Sequence, residues 1–279
     1  MQKLLATFAL MAVAAALFVA FAPKAPEAQS APATEPAKEE VASTAVEYKA
    51  GDAGMEGWLA RPANRMKGQT WPAVLLVPDW MGLKQWDKDQ CDRFASMGYI
   101  ALAVDMYGKG VRPANATEAR AQAGGLYGKP DVLRERITAA LTYMQQVDGV
   151  DTSRIAAIGF CFGGTTVLEL ARSGAEVAGV VSFHGGLKAL GENKGIKAKV
   201  LVLHGADDPM VPPADVSALM DEMRTGKVDW YFTAYGNSVH SFTNPNAGSD
   251  NSKGSAYNAK ADARSWEACH DFFREIFAK

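Results

Sequence analysis

One stretch of ten residues, Ile155 to Gly164, restricts the fold of this chain more than any other. It reads Ile-Ala-Ala-Ile-Gly-Phe-Cys-Phe-Gly-Gly. Apolar residues lead into a single cysteine, Cys161, and glycines lie on both sides of it. The pattern predicts a short buried strand, a sharp turn that carries the thiol, and the start of a helix. A side chain at the flanking glycines would collide with the neighbouring strand or helix, so glycine is expected there.

The Gly-x-Cys-x-Gly-Gly pattern is that of a nucleophile elbow, with cysteine in place of serine. Such a turn lifts the sulfur of Cys161 toward a cleft and aims the N-terminus of the next helix at it, which favours the thiolate. A single cysteine after an apolar run is more often a small buried residue. The flanking glycines favour the nucleophile, and a base and an acid in the right order would decide the question.

The rest of the chain alternates predicted strands with predicted helices. After an antiparallel pair at 46–49 and 57–60, buried strands are expected at 72–77, 100–104, 154–158, 177–183, 200–203 and 228–235. Helices are expected at 86–97, 131–147, 165–172, 213–225 and 263–277. The alternation predicts an α/β domain, a mostly parallel twisted sheet of about seven or eight strands with helices on both faces. Residues 106–130 break the rhythm and are expected to form a long functional loop over the carboxyl ends of the strands.

Four histidines are candidates for the base. His184 and His204 end strands, and His270 lies inside the last predicted helix, where it would point away from the cleft. His240 lies in a loop after the last strand, and the order nucleophile, acid, histidine selects it. His204 and His270 are expected to be structural. His184 ends a strand near the cleft and stays an alternative substrate contact.

The acid is expected in the loop Gly205 to Pro212, which follows a strand and so lies where α/β sheets build their sites. We select Asp208 and assign Asp207 to the turn. In such a trio the histidine takes the thiol proton, and the carboxylate fixes the tautomer of the ring. An acyl carbonyl attacked by sulfur becomes an oxyanion, and its donors are expected to be the backbone N–H groups of Phe162 and Trp80.

These motifs resemble those of the dienelactone hydrolase family (carboxymethylenebutenolidases), and the similarity covers Val46 to the carboxyl terminus. The resemblance rests on residues 159–164, on Asp-Pro-Met-Val-Pro at 208–212, and on Gly-Asn-Ser-Val-His-Ser-Phe at 236–242. It implies an α/β-hydrolase fold and a triad of Cys161, Asp208 and His240. It also implies hydrolysis of an enol-lactone, such as a 4-carboxymethylenebut-2-en-4-olide, or of a small ester through a thioacyl-enzyme.

The resemblance also implies residues that handle the substrate. In the family a carboxylate keeps the resting thiol unreactive. Asp79 stands at the position of that carboxylate, and its side chain is one methylene shorter than the usual glutamate. The alternative role of Asp79 is to cap the turn. Members of the family bind the substrate carboxylate with two arginines. Arg120 falls where one is expected, although a solvent-exposed arginine is the alternative, and Asn244 replaces the other, which weakens recognition of an anionic lactone. Tyr127, in the same loop as Arg120, is a further candidate contact.

The amino terminus has the composition of an export segment. Lys3 precedes an apolar run that ends at Ala22. We predict a signal peptide or N-terminal anchor over residues 1–30, a disordered Pro/Ala/Glu linker over 31–43, and the hydrolase-like domain over 44–279. Cleavage is favoured, and an uncleaved anchor is the alternative because the run is long enough to span a bilayer. The protein is therefore expected to be periplasmic or secreted.

Charge and motif spacing argue against several partners. The net charge of −2 over 279 residues gives no reason to expect nucleic acid as a partner. The scattered histidines predict no metal site. No cofactor is implied, because the glycine motif is too short for a dinucleotide loop. We expect a monomer that acts on a small-molecule lactone or ester and touches a membrane only through its N-terminal segment.

Cys91 and Cys269 lie in the first and last predicted helices of the domain. If Cys161 is the working thiol, these two are free to pair, because both helices are expected on the same face of the sheet. Two separate buried thiols is the simpler expectation.

Two other functions stay open at this point. The first is an α/β-hydrolase-fold binding module with little turnover, which the departures at Asp79 and Asn244 suggest. The second is a thiol-redox protein that uses Cys161, although the sequence contains no Cys-x-x-Cys.

Overall fold

An eight-stranded sheet forms the centre of the computed structural model, which describes residues 40–64, 66 and 68–278. Its strands are β1 (Val41–Ala50), β2 (Ala53–Pro62), β3 (Trp71–Val77), β4 (Ile100–Ala103), β5 (Val150–Phe160), β6 (Gly179–Phe183), β7 (Lys199–Gly205) and β8 (Trp230–Tyr235). The α-helices of this part are α1 (Gln85–Ser96), α2 (Ala116–Tyr127), α3 (Pro130–Gln146), α4 (Phe162–Arg172), α5 (Pro213–Thr225) and α6 (Ala259–Ile276). Two 3₁₀ helices, Pro245–Ala247 and Asn251–Lys253, follow β8.

The strands lie in the order β1-β2-β4-β3-β5-β6-β7-β8. The pairs β1/β2 and β2/β4 are antiparallel, and every other neighbouring pair is parallel. The predicted mostly parallel sheet of seven or eight strands is therefore confirmed. The order reverses around β3, and the carboxyl ends of β3, β5, β7 and β8 carry the loops that hold the candidate site, as expected for an open α/β sheet.

The sheet is buried on both faces, which explains the nearly continuous apolar runs in its central strands. Leu75 and Leu76 are neighbours in β3, and they lie in different cores because side chains alternate along a strand. Leu75 belongs to the core that includes Ile137 of α3, and Leu76 to the core that includes Phe94 of α1 and Phe273 of α6. Helices therefore cover both faces, as predicted.

Residues 106–130 do not form one long loop, so that prediction is wrong. They include α2, whose N-cap is Asn115, and the Asn115 side-chain oxygen accepts hydrogen bonds from the N–H groups of Thr117 and Glu118, both at 3.0 Å. The buried face of α2 consists of Ala119, Ala123 and Leu126. Two of these three residues are alanines, so the helical period left only a weak apolar signal in the sequence.

The amino-terminal boundary of the domain also differs from the prediction. β1 begins at Val41, so residues 41–43 are strand rather than linker. The signal or anchor over 1–30 and most of the linker lie outside the described residues. Within the residues that are described, no helix combines the length and the apolar character needed to cross a bilayer. Export therefore stays a prediction.

The thiols of Cys91 and Cys269 are free and fully buried in the core between the sheet and helices α1 and α6. The simpler expectation, two separate buried thiols, is confirmed.

Candidate active site

Cys161 lies in a sharp turn between β5 and α4. Its backbone has φ 53° and ψ −112°, a conformation that non-glycine residues seldom adopt. Its N–H donates to the carbonyl of Phe183 in β6 at 3.0 Å, and the N–H of Thr165 donates to its carbonyl at 3.1 Å. Hydrogen bonds on both sides thus hold a strained residue in place while its side chain stays partly exposed. Strain that is stabilised in this way is common at functional sites.

Three glycines allow the close packing around this turn. A Cβ on Gly159 would overlap the backbone of Gly163, and a Cβ on Gly163 would overlap the carbonyl of Val77 in β3. A Cβ on Gly164 would lie 2.8 Å from the Cα of Gly185. The expectation that side chains would collide at these positions is therefore confirmed, and the glycines are there for steric reasons.

The loops after β7 and β8 bring Asp208 and His240 to the cysteine. His240 Nε2 lies 3.0 Å from Cys161 Sγ, and His240 Nδ1 lies 2.9 Å from Asp208 Oδ2. The other carboxylate oxygen of Asp208 accepts the N–H of Met210 at 2.8 Å, which fixes the carboxylate plane. Asp208 and His240 are 6% and 7% exposed, so water competes little for these contacts. The sequence predicted all three residues, and the structure brings them together.

The environment of His240 favours its charged form. Burial alone would lower the pKa of the ring. The hydrogen bonds with Asp208 and with the Cys161 sulfur outweigh that effect and raise the pKa of His240 to about 10. An imidazolium held between a carboxylate and a sulfur is the arrangement that stabilises a thiolate.

Two backbone N–H groups beside the sulfur have the properties expected of oxyanion donors. Phe162 is the first residue of α4, and Trp80 lies in the turn after β3. Neither N–H donates to another group in the described residues. The hydroxyl of Tyr107 donates to the carbonyl of Trp80 at 2.7 Å, which restrains the peptide chain at this residue. Both predicted donors are thus free to bind a substrate oxygen.

Cys161 lines two cavities, as do Trp80 and Ser241. The larger measures about 800 Å³, and its wall includes His240 and a largely apolar set of residues: Tyr127, Phe162, Leu187, Leu190, Met210 and Val211. The smaller measures about 400 Å³, and most of the residues that line it are polar, including Asp79, Lys84, Asp87, His184, Thr243 and Asn244. The sulfur is therefore accessible from a largely apolar space and from a second space lined by many polar residues.

The three predicted substrate contacts divide between these cavities. Arg120 and Tyr127 lie on α2 beside the larger cavity; Arg120 is exposed and forms no ion pair within the described part of the chain. The Tyr127 ring packs 5.4 Å from that of Phe162, centroid to centroid. Asn244 lines the smaller cavity, and its side-chain oxygen accepts the N–H of Asn246 at 2.9 Å. Asn244 therefore caps a 3₁₀ helix as well as facing the site.

Asp79 makes no hydrogen bond with Cys161, although both line the smaller cavity. Its Oδ1 accepts the N–H of Met81 at 2.9 Å, and its Oδ2 forms an ion pair with the ammonium group of Lys84. The alternative role, capping of the turn, is confirmed. The lysine also neutralises the one carboxylate that sequence analysis had placed next to the nucleophile.

Lys84 and Asp87 also line this cavity, and neither was predicted from the sequence. Asp87 is fully buried, its Oδ2 accepts the backbone N–H of Lys84 at 2.9 Å, and burial raises the pKa of this carboxyl to about 7. An acid three residues after the N-cap of a helix is a recognised capping signal, and Lys-x-x-Asp at the start of α1 carries it. That signal predicts the hydrogen bond but not the position beside the nucleophile. No set of three potential metal ligands gathers anywhere in the described residues.

Several known proteins are similar to this chain in fold or in sequence. A solved structure of a dienelactone hydrolase-like promiscuous phosphotriesterase from metagenomic libraries is 41% identical, with a TM-score of 0.79 over 85% of this chain and 98% of its own. A second, named m3DLH, is 39% identical with a TM-score of 0.80 over the same shares. A "Putative carboxymethylenebutenolidase" of Methylorubrum extorquens is 26% identical over 80% of this chain and 78% of its own.

An α/β-hydrolase fold with these relatives defines a carboxylic ester hydrolase. The sequence profile of the dienelactone hydrolase family matches residues 55–277, and the chain belongs to that family.

Proposed function

We propose that this protein cleaves a lactone or small carboxylic ester with Cys161 as nucleophile, His240 as base and Asp208 as the group that orients the ring. The observation that carries the proposal is the unbroken series of contacts from Asp208 Oδ2 through His240 to Cys161 Sγ, at 2.9 Å and 3.0 Å. The strained turn at Cys161 and the two unbonded N–H groups beside it support the same assignment.

The resting pair is an imidazolium and a thiolate, which the raised pKa of His240 supports. The thiolate attacks the acyl carbon and forms a C–S bond, while the carbonyl electrons move onto oxygen. The N–H groups of Phe162 and Trp80 stabilise that oxyanion. Collapse breaks the ester C–O bond, and His240 Nε2 gives its proton to the departing oxygen, leaving a thioacyl-enzyme.

Water completes the cycle. Neutral His240 takes a proton from a water molecule as its oxygen attacks the thioester carbon. When the second tetrahedral intermediate collapses, the C–S bond breaks, the sulfur leaves as thiolate and the carboxylic acid is released. Asp208 holds the ring in the tautomer that presents Nε2 to both steps and stabilises its charged form.

The charges around the site support uncharged or singly charged substrates. Two cationic side chains, Arg120 and Lys188, line the larger cavity, and neither forms an ion pair within the described residues. Lys84 is neutralised by Asp79, and Asn244 offers no charge. We therefore propose lactones and small esters that carry at most one negative charge as the preferred substrates.

Phosphotriesters are a second candidate substrate class. The relative described as a promiscuous phosphotriesterase is 41% identical to this chain over 85% of its length. A neutral phosphotriester, like a neutral ester, would fit a large apolar cavity that ends at a nucleophile. A panel of substrates for the purified protein should therefore include both classes.

We also propose that the protein works outside the cytoplasm as a monomer, with residues 1–30 as its export signal. The apolar run after Lys3 supports export. Fractionation of cells that express the full chain, followed by mass spectrometry of its amino terminus, tests this, and a full-length protein in the cytoplasm would contradict it.

Cys161→Ala and His240→Ala should each reduce the kcat/KM for a p-nitrophenyl ester by at least about 10³-fold. The wild-type protein, quenched during turnover, should carry the acyl group on Cys161 in a peptide mass spectrum. Cys91→Ala is the matched control, because that thiol is fully buried away from the site and should never be acylated.

Three outcomes separate the alternatives. Wild-type rates in both variants would contradict the proposed residues. Ligand binding without turnover on any ester, lactone or phosphotriester would favour a binding module. Reversible oxidation of Cys161 with no esterase activity would favour a redox role, which the burial of both other thiols makes difficult.

A further inference from the structure

Two residues that line the smaller cavity each carry a buried polar atom with no hydrogen-bond partner in the described structure. Asp87 and His184 both line this cavity, and they are 0% and 2% exposed. Asp87 Oδ1 and His184 Nδ1 find no partner in the described structure. A buried polar atom without a partner destabilises the folded state, because it has lost its hydrogen bonds to water without replacing them. Two such atoms on residues that line one cavity, beside the nucleophile, point to a bound polar group.

His184 is held in this position at a conformational cost. Its φ is 39°, in the left-handed region that few residues other than glycine adopt. Its Nε2 lies 2.8 Å from Thr243 Oγ1, and its ring packs against that of His240 with the centroids 5.3 Å apart. Burial lowers the pKa of His184 well below its ordinary value, so the ring is neutral. Strain that places an unpartnered nitrogen beside the base is more typical of a binding contact than of packing.

The charges of this cavity indicate what it can bind. Lys84 and Asp79 neutralise each other across their ion pair. An anionic group would find no free cation, because Lys84 is already paired with Asp79, and a cation would lose its water shell to reach groups that are already paired or neutral. A hydroxyl group both donates and accepts, so it suits a carboxyl in either state and a neutral imidazole in either tautomer.

We propose that the smaller cavity is a second substrate subsite, which binds an uncharged, hydroxyl-bearing part of the substrate through Asp87 and His184. This inference rests on the proposed hydrolase function and names the chemistry of its substrate. The hydroxyl groups belong either to the alcohol or to the acyl part of the ester. Both parts would present the same hydroxyl chemistry to the subsite, and experiment distinguishes between them.

Three esters of similar size serve as probes: propyl butyrate, glyceryl monobutyrate, which carries hydroxyl groups on the alcohol, and propyl β-hydroxybutyrate, which carries one on the acyl chain. The readout is the ratio of kcat/KM for each hydroxylated ester to that for propyl butyrate. A ratio above one in the wild-type protein identifies the side of the ester that enters the subsite.

Two variants of His184 distinguish the role of Nδ1 from that of the rest of the ring. His184→Gln reaches the position of Nε2 and can keep the contact with Thr243, but it removes Nδ1. His184→Asn places its amide near the position of Nδ1 and tolerates the positive φ. The first should lower the ratio by about five- to tenfold, as for the loss of one hydrogen bond, and the second should keep most of it.

Asp87→Ala should lower the same ratio. Two matched controls lie away from both cavities: His204, a buried histidine whose Nδ1 is also unpartnered, and Asp262, an acid in the first turn of α6 whose Oδ1 is also unpartnered. His204→Gln and Asp262→Ala should leave the ratio at its wild-type value. The subsite is overturned if His184→Gln and Asp87→Ala keep the wild-type ratio, as they would if water alone filled the cavity, or if the controls lower it equally.

A binding measurement separates this inference from the proposed function. Saturation-transfer NMR of the two hydroxylated esters with the Cys161→Ala protein should give a signal that His184→Gln abolishes. If no ester is hydrolysed but this signal is present, the subsite stands and the hydrolase assignment fails. If esters are hydrolysed but no selectivity and no signal depend on His184, the subsite fails and the hydrolase assignment stands.

Discussion

Asp79 and Lys84 form an ion pair on the wall of the cavity that Cys161 also lines. Asp79 lines the same cavity as Cys161, and its side chain is 18% exposed, so solvent screens it only in part. Paired with Lys84, it adds little net charge. Left unpaired, the carboxylate would disfavour the thiolate, because like charges at short range oppose ionisation. We therefore expect the ion pair to influence the reactivity of the nucleophile without contacting it.

We expect Lys84→Gln to slow the alkylation of Cys161 by iodoacetamide at pH 7 by about threefold to tenfold, because the thiolate is the reactive form. Cys91 and Cys269 are fully buried, so alkylation of the native protein reports on Cys161. Asp79→Asn combined with Lys84→Gln removes both charges and should restore the rate. An unchanged rate in Lys84→Gln would show that the carboxylate has no influence on the sulfur.

At the scale of single residues, the site residues that were predicted from the sequence are those that lie in short motifs. Cys161, Asp208 and His240 each stand in a recognisable turn, and strand-helix alternation sets the order of those turns along the sheet edge. The pairing of Asp79 with Lys84 could not be predicted in the same way. It depends on how far two side chains reach across a turn, which residue identity does not specify.

At the scale of elements, helix α1 brings an ionisable group into the protein interior. Asp87 accepts the N–H of Lys84 at 2.9 Å, which caps the first turn of the helix, and it is fully buried. Burial raises its pKa from 3.8 to about 7. The folded state therefore holds this proton more tightly than the unfolded state, so the associated stability is complete below pH 3.8 and is lost as the pH rises through about 7.

Asp87→Asn keeps a side-chain acceptor for the cap but cannot ionise. We expect its unfolding free energy to equal that of the wild-type protein near pH 4 and to exceed it at pH 8 by up to about 4 kcal/mol, with the gap opening between these values. Urea denaturation at several pH values measures the gap. A gap that does not vary with pH would mean that Asp87 ionises as readily in the folded protein as in the unfolded chain.

Some strands and helices are predicted from the sequence more clearly than others. The central strands are apolar on both faces, and their positions were predicted to within a few residues. Helix α2 was missed because its buried face is mostly alanine, and because Gly124 and Gly125 inside it are typical of loops. Its cap at Asn115, with Glu118 three residues later, was the signal that could have located it.

At the scale of the whole molecule, a buried network ties the helix behind the nucleophile to its neighbours. Glu169 of α4 is fully buried, accepts Arg134 of α3 at 2.7 Å and Arg172 at 3.0 Å, and accepts the N–H of Leu190 at 2.9 Å. Arg172 also pairs with Glu222 of α5 at 2.7 Å. The network thus joins α3, α4 and α5 to a loop that lines the larger cavity. Arg134, Glu169 and Glu222 are far apart in the chain, so sequence spacing gave no sign of the contacts that join their three helices.

Glu169→Gln tests how much this network supports. The change leaves two buried guanidinium groups facing one neutral amide, and removal of one partner from a buried ion pair typically costs about 3–5 kcal/mol. We expect a loss of that order in the unfolding free energy measured in urea. We also expect a higher KM for esters with long acyl or alcohol chains, because the wall at Leu190 loses an anchor. Glu176→Gln is the matched control: its partner Lys197 is exposed, as Glu176 is, so neither quantity should change measurably. Equal stability of the two variants would mean that apolar packing alone holds α4, and with it the turn at Cys161, against the sheet.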